Sequence, residues 1–98
     1  QGLGHTLFEE MVYTDGHLVN GTLLLYRVPR ADDVPDLACR FVENADGAGP
    51  FGAKGAGEGS LVPLSPAVAN ALARLTGVRL RELPLTPERV WRALRARG

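Results

Sequence analysis

Cysteine is almost absent from this sequence, since Cys39 is the only one among 98 residues. A single cysteine excludes an internal disulfide and any cysteine-rich zinc or iron–sulfur site built from this chain alone, and it is typical of a cytoplasmic protein. Long apolar runs are lacking too. Segments such as Leu23–Leu25 fall far short of the ~20 consecutive apolar residues that cross a bilayer, so we expect no membrane partner.

Net charge is also missing, because 11 basic side chains are balanced by 11 acidic ones. A neutral chain has no broad attraction for nucleic acid, and we predict no nucleic-acid partner. Lysine occurs once, at Lys54.

The composition by itself predicts one small domain with a modest core, because a chain of this size buries only about 60 to 65% of its unfolded surface. A first residue that is Gln1 rather than Met predicts a processed product or a segment of something longer.

The first half of the chain carries both helical and strand signals. Apolar residues at helical spacing predict a helix to about Tyr13, and Thr14–His17 has the composition of a turn. Leucine, β-branched and aromatic residues predict strand structure over 18–28. A second strand is predicted over 37–42, where Cys39 would be a small buried hydrophobe.

The second half opens with a glycine-rich stretch, 44–60, whose lack of any period predicts a long loop. Ser65 as N-cap and Gly77 as C-cap bound a predicted helix over 67–75. Alternation predicts a strand over 78–83, and Thr86-Pro87 marks the start of a last helix. The predicted fold class is α+β, in the order helix, strands, Gly-rich loop, helix, strand, helix.

The Gly-rich loop admits a functional and a bland interpretation. Its glycines let the backbone approach a ligand and present N–H groups, yet such loops are often only flexible surface. Its segment Pro50–Ser60 has neither Gly-x-Gly-x-x-Gly spacing nor Gly-Lys-Ser/Thr, which disfavours a nucleotide P-loop. Lys54 is either an anion-steering group or a solvated lysine. Glu58, between two glycines, is an unshielded carboxylate that is either a general base or an exposed loop acid.

Five blocks of sequence, spread over the chain, are more specific than its composition. They are Gln1–Gly4 with Phe8–Glu10, Asn20–Thr22, Tyr26–Pro29, Gly52–Glu58 and Glu82–Val90. In this order they resemble the C-terminal end of the molybdopterin-binding large subunit of the xanthine dehydrogenase family, the molybdenum hydroxylases. The resemblance implies that residues 1–98 are the C-terminal segment of a molybdopterin-binding domain and are incomplete alone.

The resemblance also implies a chemistry. In that family the glutamate of the Gly-x-Gly-Glu loop is the catalytic base, which maps to Glu58. The implied reaction is hydroxylation with water-derived oxygen: the carboxylate takes a proton from a molybdenum-bound hydroxyl, the oxygen attacks an electron-poor carbon, and hydride passes to a sulfido ligand. The implied cofactor-binding residues are Lys54, Gly55, Ala56, Gly57 and Glu58. Gly59-Ser60 stands where many relatives have prolines, so the substrate class stays open.

Cofactors and partners follow from the same resemblance. A molybdenum–pterin cofactor, molybdopterin or its cytosine dinucleotide form, belongs to the complete subunit, and none is expected on this chain alone. Iron–sulfur and FAD groups are implied on other domains or subunits. The expected partners are the remainder of the large subunit and the iron–sulfur and flavin subunits, with self-association through surface that the remainder would cover. The alternative is a free-standing, non-catalytic module that reuses the fold for assembly or binding.

Overall fold

The computed structural model describes residues 1–44 and 46–97. Three helices and one hairpin carry the regular structure, and single 3₁₀ turns interrupt the connections. In chain order the elements are α1 (Gly2–Leu7), β1 (Tyr13–Thr14), β2 (His17–Leu18), 3₁₀ turns at Ala31–Asp33, Pro50–Gly52 and Glu58–Leu61, α2 (Leu64–Thr76) and α3 (Pro87–Arg95). A mixed α+β composition is thereby confirmed.

Helix α1 is shorter than predicted, and a hairpin takes the place of its expected end. The amides of Phe8 and Glu9 both donate to the Gly4 carbonyl at 2.9 Å, which closes the helix. The predicted helix to about Tyr13 is therefore wrong. The turn predicted over Thr14–His17 is confirmed: Asp15 and Gly16 take positive φ values of 48° and 79°, as a tight hairpin with right-twisted strands requires.

The longer strands predicted from local pattern are absent from the described residues. Within 18–28, the amides of Leu25 and Tyr26 donate to the Thr22 carbonyl at 2.9 and 2.8 Å, so the backbone turns instead of extending. Residues 37–42 and 78–83 hold no strand either. The physical reason is that a strand needs a hydrogen-bonded neighbour, and the described part of the chain offers these segments none. These three strand predictions are wrong for this chain; the described order is helix, hairpin, Gly-rich loop, helix, helix.

Helix α2 is predicted well because its signals are local. It extends from Leu64 to Thr76 and ends at Gly77, whose φ of 72° lets its amide donate to the Ala73 carbonyl. The left-handed residue after a helix is the position that glycine occupies most readily. The predicted N-cap is wrong, since Pro63 precedes the helix and Ser65 is already inside it.

Helix α3 confirms the start that the sequence predicts. The hydroxyl of Thr86 accepts from the amide of Arg89, and Pro87 fills the first helical position. Glu88 and Arg92 form an ion pair one turn apart at 2.6 Å. Both partners are exposed, so the pair adds only a few tenths of a kcal/mol, about 0.3 to 0.5.

The packing centre lies where α1 crosses the start of α2. Gly2, Gly4 and Thr6 form the buried face of α1. A Cβ atom on Gly2 would lie 2.9 Å from a methyl of Leu64, so the absence of a side chain permits this approach. Leu85 completes the centre: it is 3% exposed, and its amide donates to the Thr6 carbonyl at 2.6 Å.

Much apolar surface stays outside this centre. The radius of gyration is 17.7 Å, whereas a folded domain of this length is expected near 13 Å. Phe41 and Val42 are 90% and 97% exposed. The composition predicted one small domain with a modest core, and the structure corrects this. The described residues form a helical centre from which extended, solvent-exposed segments project. Among them, no helix has the length and apolar character needed to span a membrane.

Candidate functional site

The Gly-rich loop is confirmed as a long connection without α-helix or strand over its described residues, 44 and 46–60. A 3₁₀ turn at Pro50–Gly52 bends it, with Phe51 and Gly52 at φ values of 56° and 76°. A second turn, Glu58–Leu61, leads through Val62 and Pro63 into α2. Every residue from Ala53 to Ser60 is exposed. The loop therefore presents its backbone outward and is anchored by α2.

Lys54 has partners within its own loop. Its ammonium donates to Asp46 Oδ1 at 2.6 Å and also to Asn44 Oδ1. The side chains of Lys54 and Asp46 are 49% and 76% exposed, so this ion pair contributes little to stability. It does tie Lys54 to the first residues of the loop. In this arrangement the lysine charge is already countered by a carboxylate.

The three glycines around Ala56 and Glu58 face open space. A Cβ atom built on Gly55, Gly57 or Gly59 would meet no other part of the chain within 4 Å. This differs from Gly2, whose missing side chain is explained by a neighbouring helix. No steric contact with the described residues therefore requires glycine at these three positions. A bulky group lying against the loop would give such a requirement a physical cause.

The carboxylate of Glu58 is held by a residue from the other end of the chain. The amide nitrogen Nε2 of Gln1 donates to Glu58 Oε1 at 2.6 Å across 57 sequence positions. Glu58 opens the 3₁₀ turn before α2, and Gln1 is the N-cap of α1. The α1–α2 packing at Gly2 thus brings the two side chains together. Sequence reasoning named Glu58 but missed this pair, because no spacing signal connects residues so far apart.

The packing beneath the pair includes a buried hydroxyl. Thr6 is fully buried; its Oγ1 donates to the Gly2 carbonyl at 2.6 Å and lies 2.8 Å from Ser65 Oγ. A hydroxyl has one hydrogen, so the Ser65 hydroxyl is the donor in the second contact. This link ties α1 to the first turn of α2, next to the segment that carries Glu58.

Acidic and tyrosine side chains after α1 add further ties. Glu10 accepts from Arg89 at 2.6 Å, which connects this region to α3. Tyr26 donates its hydroxyl to Glu9 at 2.8 Å. That hydrogen bond to a carboxylate, together with partial desolvation, raises the pKa of Tyr26 above its usual value. These contacts are structural and involve neither Gln1 nor Glu58.

Other residues that the sequence singled out give no metal site. The described residues hold no group of three or more His, Cys, Asp or Glu side chains arranged to bind a metal ion. His5 and His17 are both exposed. Cys39 is exposed as well, so its predicted burial is wrong. Trp91 is 55% exposed, with the guanidinium of Arg95 lying 5.1 Å from its ring centre.

Known proteins resemble this chain over nearly all of its length. A sequence model for the molybdopterin cofactor-binding domain matches residues 1–35. A putative xanthine dehydrogenase molybdenum-binding subunit of Escherichia coli is 37% identical over 99% of this chain and 13% of its own length. An aldehyde oxidoreductase molybdenum-binding subunit of the same organism is 37% identical over 91% of the chain and 13% of its length.

A third relative is subunit gamma of the 6-hydroxypseudooxynicotine dehydrogenase complex of Paenarthrobacter nicotinovorans, 37% identical over 93% of the chain. The chain spans only 12 to 13% of the length of these relatives. The family model covers Gln1–Gly4, and the relatives' matches extend over the loop that carries Glu58; the structure brings these two parts together. By these matches the chain corresponds to a segment of the molybdenum-binding subunits of the xanthine dehydrogenase and aldehyde oxidoreductase type.

Proposed function

We propose that residues 1–98 are the C-terminal segment of the molybdenum-binding subunit of a xanthine dehydrogenase-like oxidoreductase and supply its general base, Glu58. The observation that carries this proposal is the exposed carboxylate of Glu58 on an open glycine loop, with one oxygen fixed by Gln1. A general base needs an accessible carboxylate held in one orientation. The described part of this loop offers that combination at Glu58.

The residues present are compatible with a large cofactor beside the loop. Backbone from Gly55 to Glu58 is exposed, and its glycines leave the adjoining space open. In this scheme the pterin holds the metal, and the described residues add no cluster of metal ligands to it. The backbone of Gly55, Ala56 and Gly57 would then contact the cofactor, and Lys54 would steer anionic parts of it only after leaving Asp46. When bound, the molybdenum–pterin cofactor would supply the centre that activates water and accepts two electrons from the substrate.

Within this scheme the role of Glu58 is confined to one proton. Oε1 accepts the hydrogen bond from Gln1. Oε2, for which the described residues provide no donor, is the oxygen that receives the proton as water-derived oxygen becomes a nucleophile. Gly57 and Gly59, on either side, allow a substrate to approach without a flanking side chain. The loop therefore leaves room for the substrate and positions one catalytic group, the carboxylate of Glu58.

The segment is not sufficient by itself. Its radius of gyration and its exposed apolar side chains are those expected of a part that a larger subunit covers. We infer that the remainder of the large subunit is its first partner and that the isolated chain self-associates and is inactive. The names of the relatives describe subunits, and one names a complex, which supports partner subunits in general. We propose that those subunits carry the iron–sulfur and flavin groups.

The substrate is proposed only as a class. The relatives' names refer to xanthine, aldehydes and a hydroxylated nicotine derivative, which share a carbon that can be hydroxylated. Whether the pterin carries an added cytidine nucleotide depends on residues outside this segment. The proposal therefore concerns the base and the reaction type.

Glu58→Gln in the complete, cofactor-loaded enzyme tests the proposal. The amide keeps the size of the carboxylate but accepts no proton, so we expect turnover to fall by at least ~10³-fold with unchanged molybdenum content. Glu82→Gln is the matched control, because Glu82 is an exposed acid outside the loop; it should keep full activity. Substantial activity in a fully loaded Glu58→Gln enzyme would overturn the assignment.

A further inference from the structure

The contact between Gln1 and Glu58 joins two exposed side chains. Among the described residues, neither side chain makes another hydrogen bond. Gln1 Nε2 and Glu58 Oε1 lie 2.6 Å apart, which is a close hydrogen-bond contact. A carboxylate has no hydrogen to donate, so the amide nitrogen must be the group that faces it. The loop next to Glu58 has open space at Gly57 and Gly59. Without the amide, nothing among the described residues restricts the carboxylate to one orientation.

The backbones on both sides of this contact are fixed by packing. The Gln1 carbonyl accepts from the amide of His5 at 3.1 Å, which anchors Gln1 to α1. A Cβ on Gly2 would lie 2.9 Å from Leu64 and 3.3 Å from Leu61, so α1 sits directly on the segment that follows Glu58. The distance between the two side chains is therefore set by helix packing and not by the loop.

We propose that Gln1 is a positioning residue, which fixes the carboxylate of Glu58 so that Oε2 is presented to the reacting proton. This inference rests on the proposed function, in which Glu58 is the base. A neutral amide suits the task, because it donates a hydrogen bond but has no proton to transfer within the working pH range. A lysine or arginine there would form an ion pair and compete for the oxygen that must stay free. Holding a catalytic group in one geometry is worth a measurable part of the rate.

Gln1→Met in the complete, loaded enzyme is the first test, since methionine keeps the length of glutamine without its donor; Gln1→Ala is the second. For both we expect kcat to fall about tenfold, the size expected for one hydrogen bond to a carboxylate near solvent, with KM unchanged. Molybdenum content should equal that of the wild type. Asn70→Ala is the matched control, because Asn70 accepts an exposed side-chain bond from Arg79 at 2.8 Å elsewhere on the surface and should leave kcat unchanged.

Coupling to Glu58 separates positioning from a general structural effect. Glu58→Asp withdraws the carboxylate by one methylene and breaks the same bond. If Gln1 acts through Glu58, adding Gln1→Met to Glu58→Asp lowers kcat no further, whereas independent effects multiply. A crystal structure of the Gln1→Met enzyme supplies a readout besides activity: Glu58 should occupy more than one side-chain orientation.

The outcomes distinguish the two proposals. If Glu58→Gln is inactive while both Gln1 variants keep kcat within twofold of the wild type, the positioning role is wrong and the base assignment stands. If the Gln1 variants lose molybdenum, or their effects multiply with that of Glu58→Asp, Gln1 acts on something other than the carboxylate and the inference is overturned. If Glu58→Gln stays active, the proposed function has failed first.

Discussion

Replacing Thr6 by valine removes one buried hydroxyl and keeps the shape of the side chain. Thr6 is fully buried in α1, donates to the Gly2 carbonyl at 2.6 Å and accepts from Ser65 at 2.8 Å. Valine therefore removes the hydroxyl's bond to the Gly2 carbonyl and leaves the Ser65 hydroxyl without this acceptor, yet it creates no cavity. The substitution isolates the hydrogen-bonding contribution to the packing that supports Gln1.

The magnitude follows from these partners. A lost intramolecular hydrogen bond costs about 0.5 to 1.5 kcal/mol, and a buried polar group left unpaired costs about 1 to 3 kcal/mol. Ser65 is only half-buried, so water recovers part of that cost. We expect a loss of about 1 to 2 kcal/mol in local stability, which accelerates amide exchange about 5- to 30-fold.

Hydrogen exchange followed by mass spectrometry on the complete subunit is the assay. The reporter peptide spans residues 2–9, where Phe8 and Glu9 donate to Gly4, and a second reporter contains Leu85, whose amide donates to Thr6. Thr14→Val is the matched control, because it makes the same change on an exposed strand residue. Exchange within twofold of the wild type in both reporters would refute the argument that the hydroxyl pair stabilises this contact.

Two further predictions concern the end of α2 and an acidic side chain. Gly77→Ala forces a side chain into a φ of 72° at the end of α2, so we expect the local stability to fall by about 1 to 2 kcal/mol. Faster amide exchange over 73–77 would report this loss. Gly77→Asn should lose less stability, because asparagine tolerates the left-handed conformation better. The backbone amide of Arg30, aided by the Arg27 and Arg30 guanidinium groups, lowers the pKa of Asp33 below 3.8. A depressed carboxyl pKa stabilises the fold above the unfolded pKa, and the contribution disappears as the pH falls through the folded value. NMR titration of Asp33 should therefore give a pKa below 3.8. A value at or above 3.8 would contradict the hydrogen bond from the Arg30 amide to Asp33. Asp33→Asn should remove the dependence of this turn's stability on acidic pH.

Local signals predicted the elements that depend on local interactions. Gly77 ended α2 and Thr86 began α3 where the sequence indicated, since a cap acts within four residues of itself. Strand signals over 18–28, 37–42 and 78–83 failed because a strand is stabilised by a neighbour that can lie anywhere in the polypeptide. The turn of the short hairpin was predicted correctly, because its conformation is again set locally by Asp15 and Gly16.

The candidate site shows the same division between features set by local sequence and features set by distant contacts. Glu58 was identified through its resemblance to a family motif, and the structure gives that carboxylate a partner. The partner itself, Gln1, was not predicted, because the contact depends on how α1 packs against α2. Lys54 was the conspicuous single lysine, yet its contacts are with Asn44 and Asp46, side chains that composition did not connect to it. Long-range pairs of this kind require the fold.

The central claim is that Glu58 of this segment removes a proton in the first chemical step. Rapid mixing of substrate with the fully loaded, oxidised enzyme measures reduction of the cofactor in a single turnover, free of product release and of the partner subunits. The account predicts that Glu58→Gln slows this reduction by at least ~10³-fold at saturating substrate, with wild-type molybdenum content. Reduction of the loaded Glu58→Gln enzyme at a rate within tenfold of the wild type would contradict it.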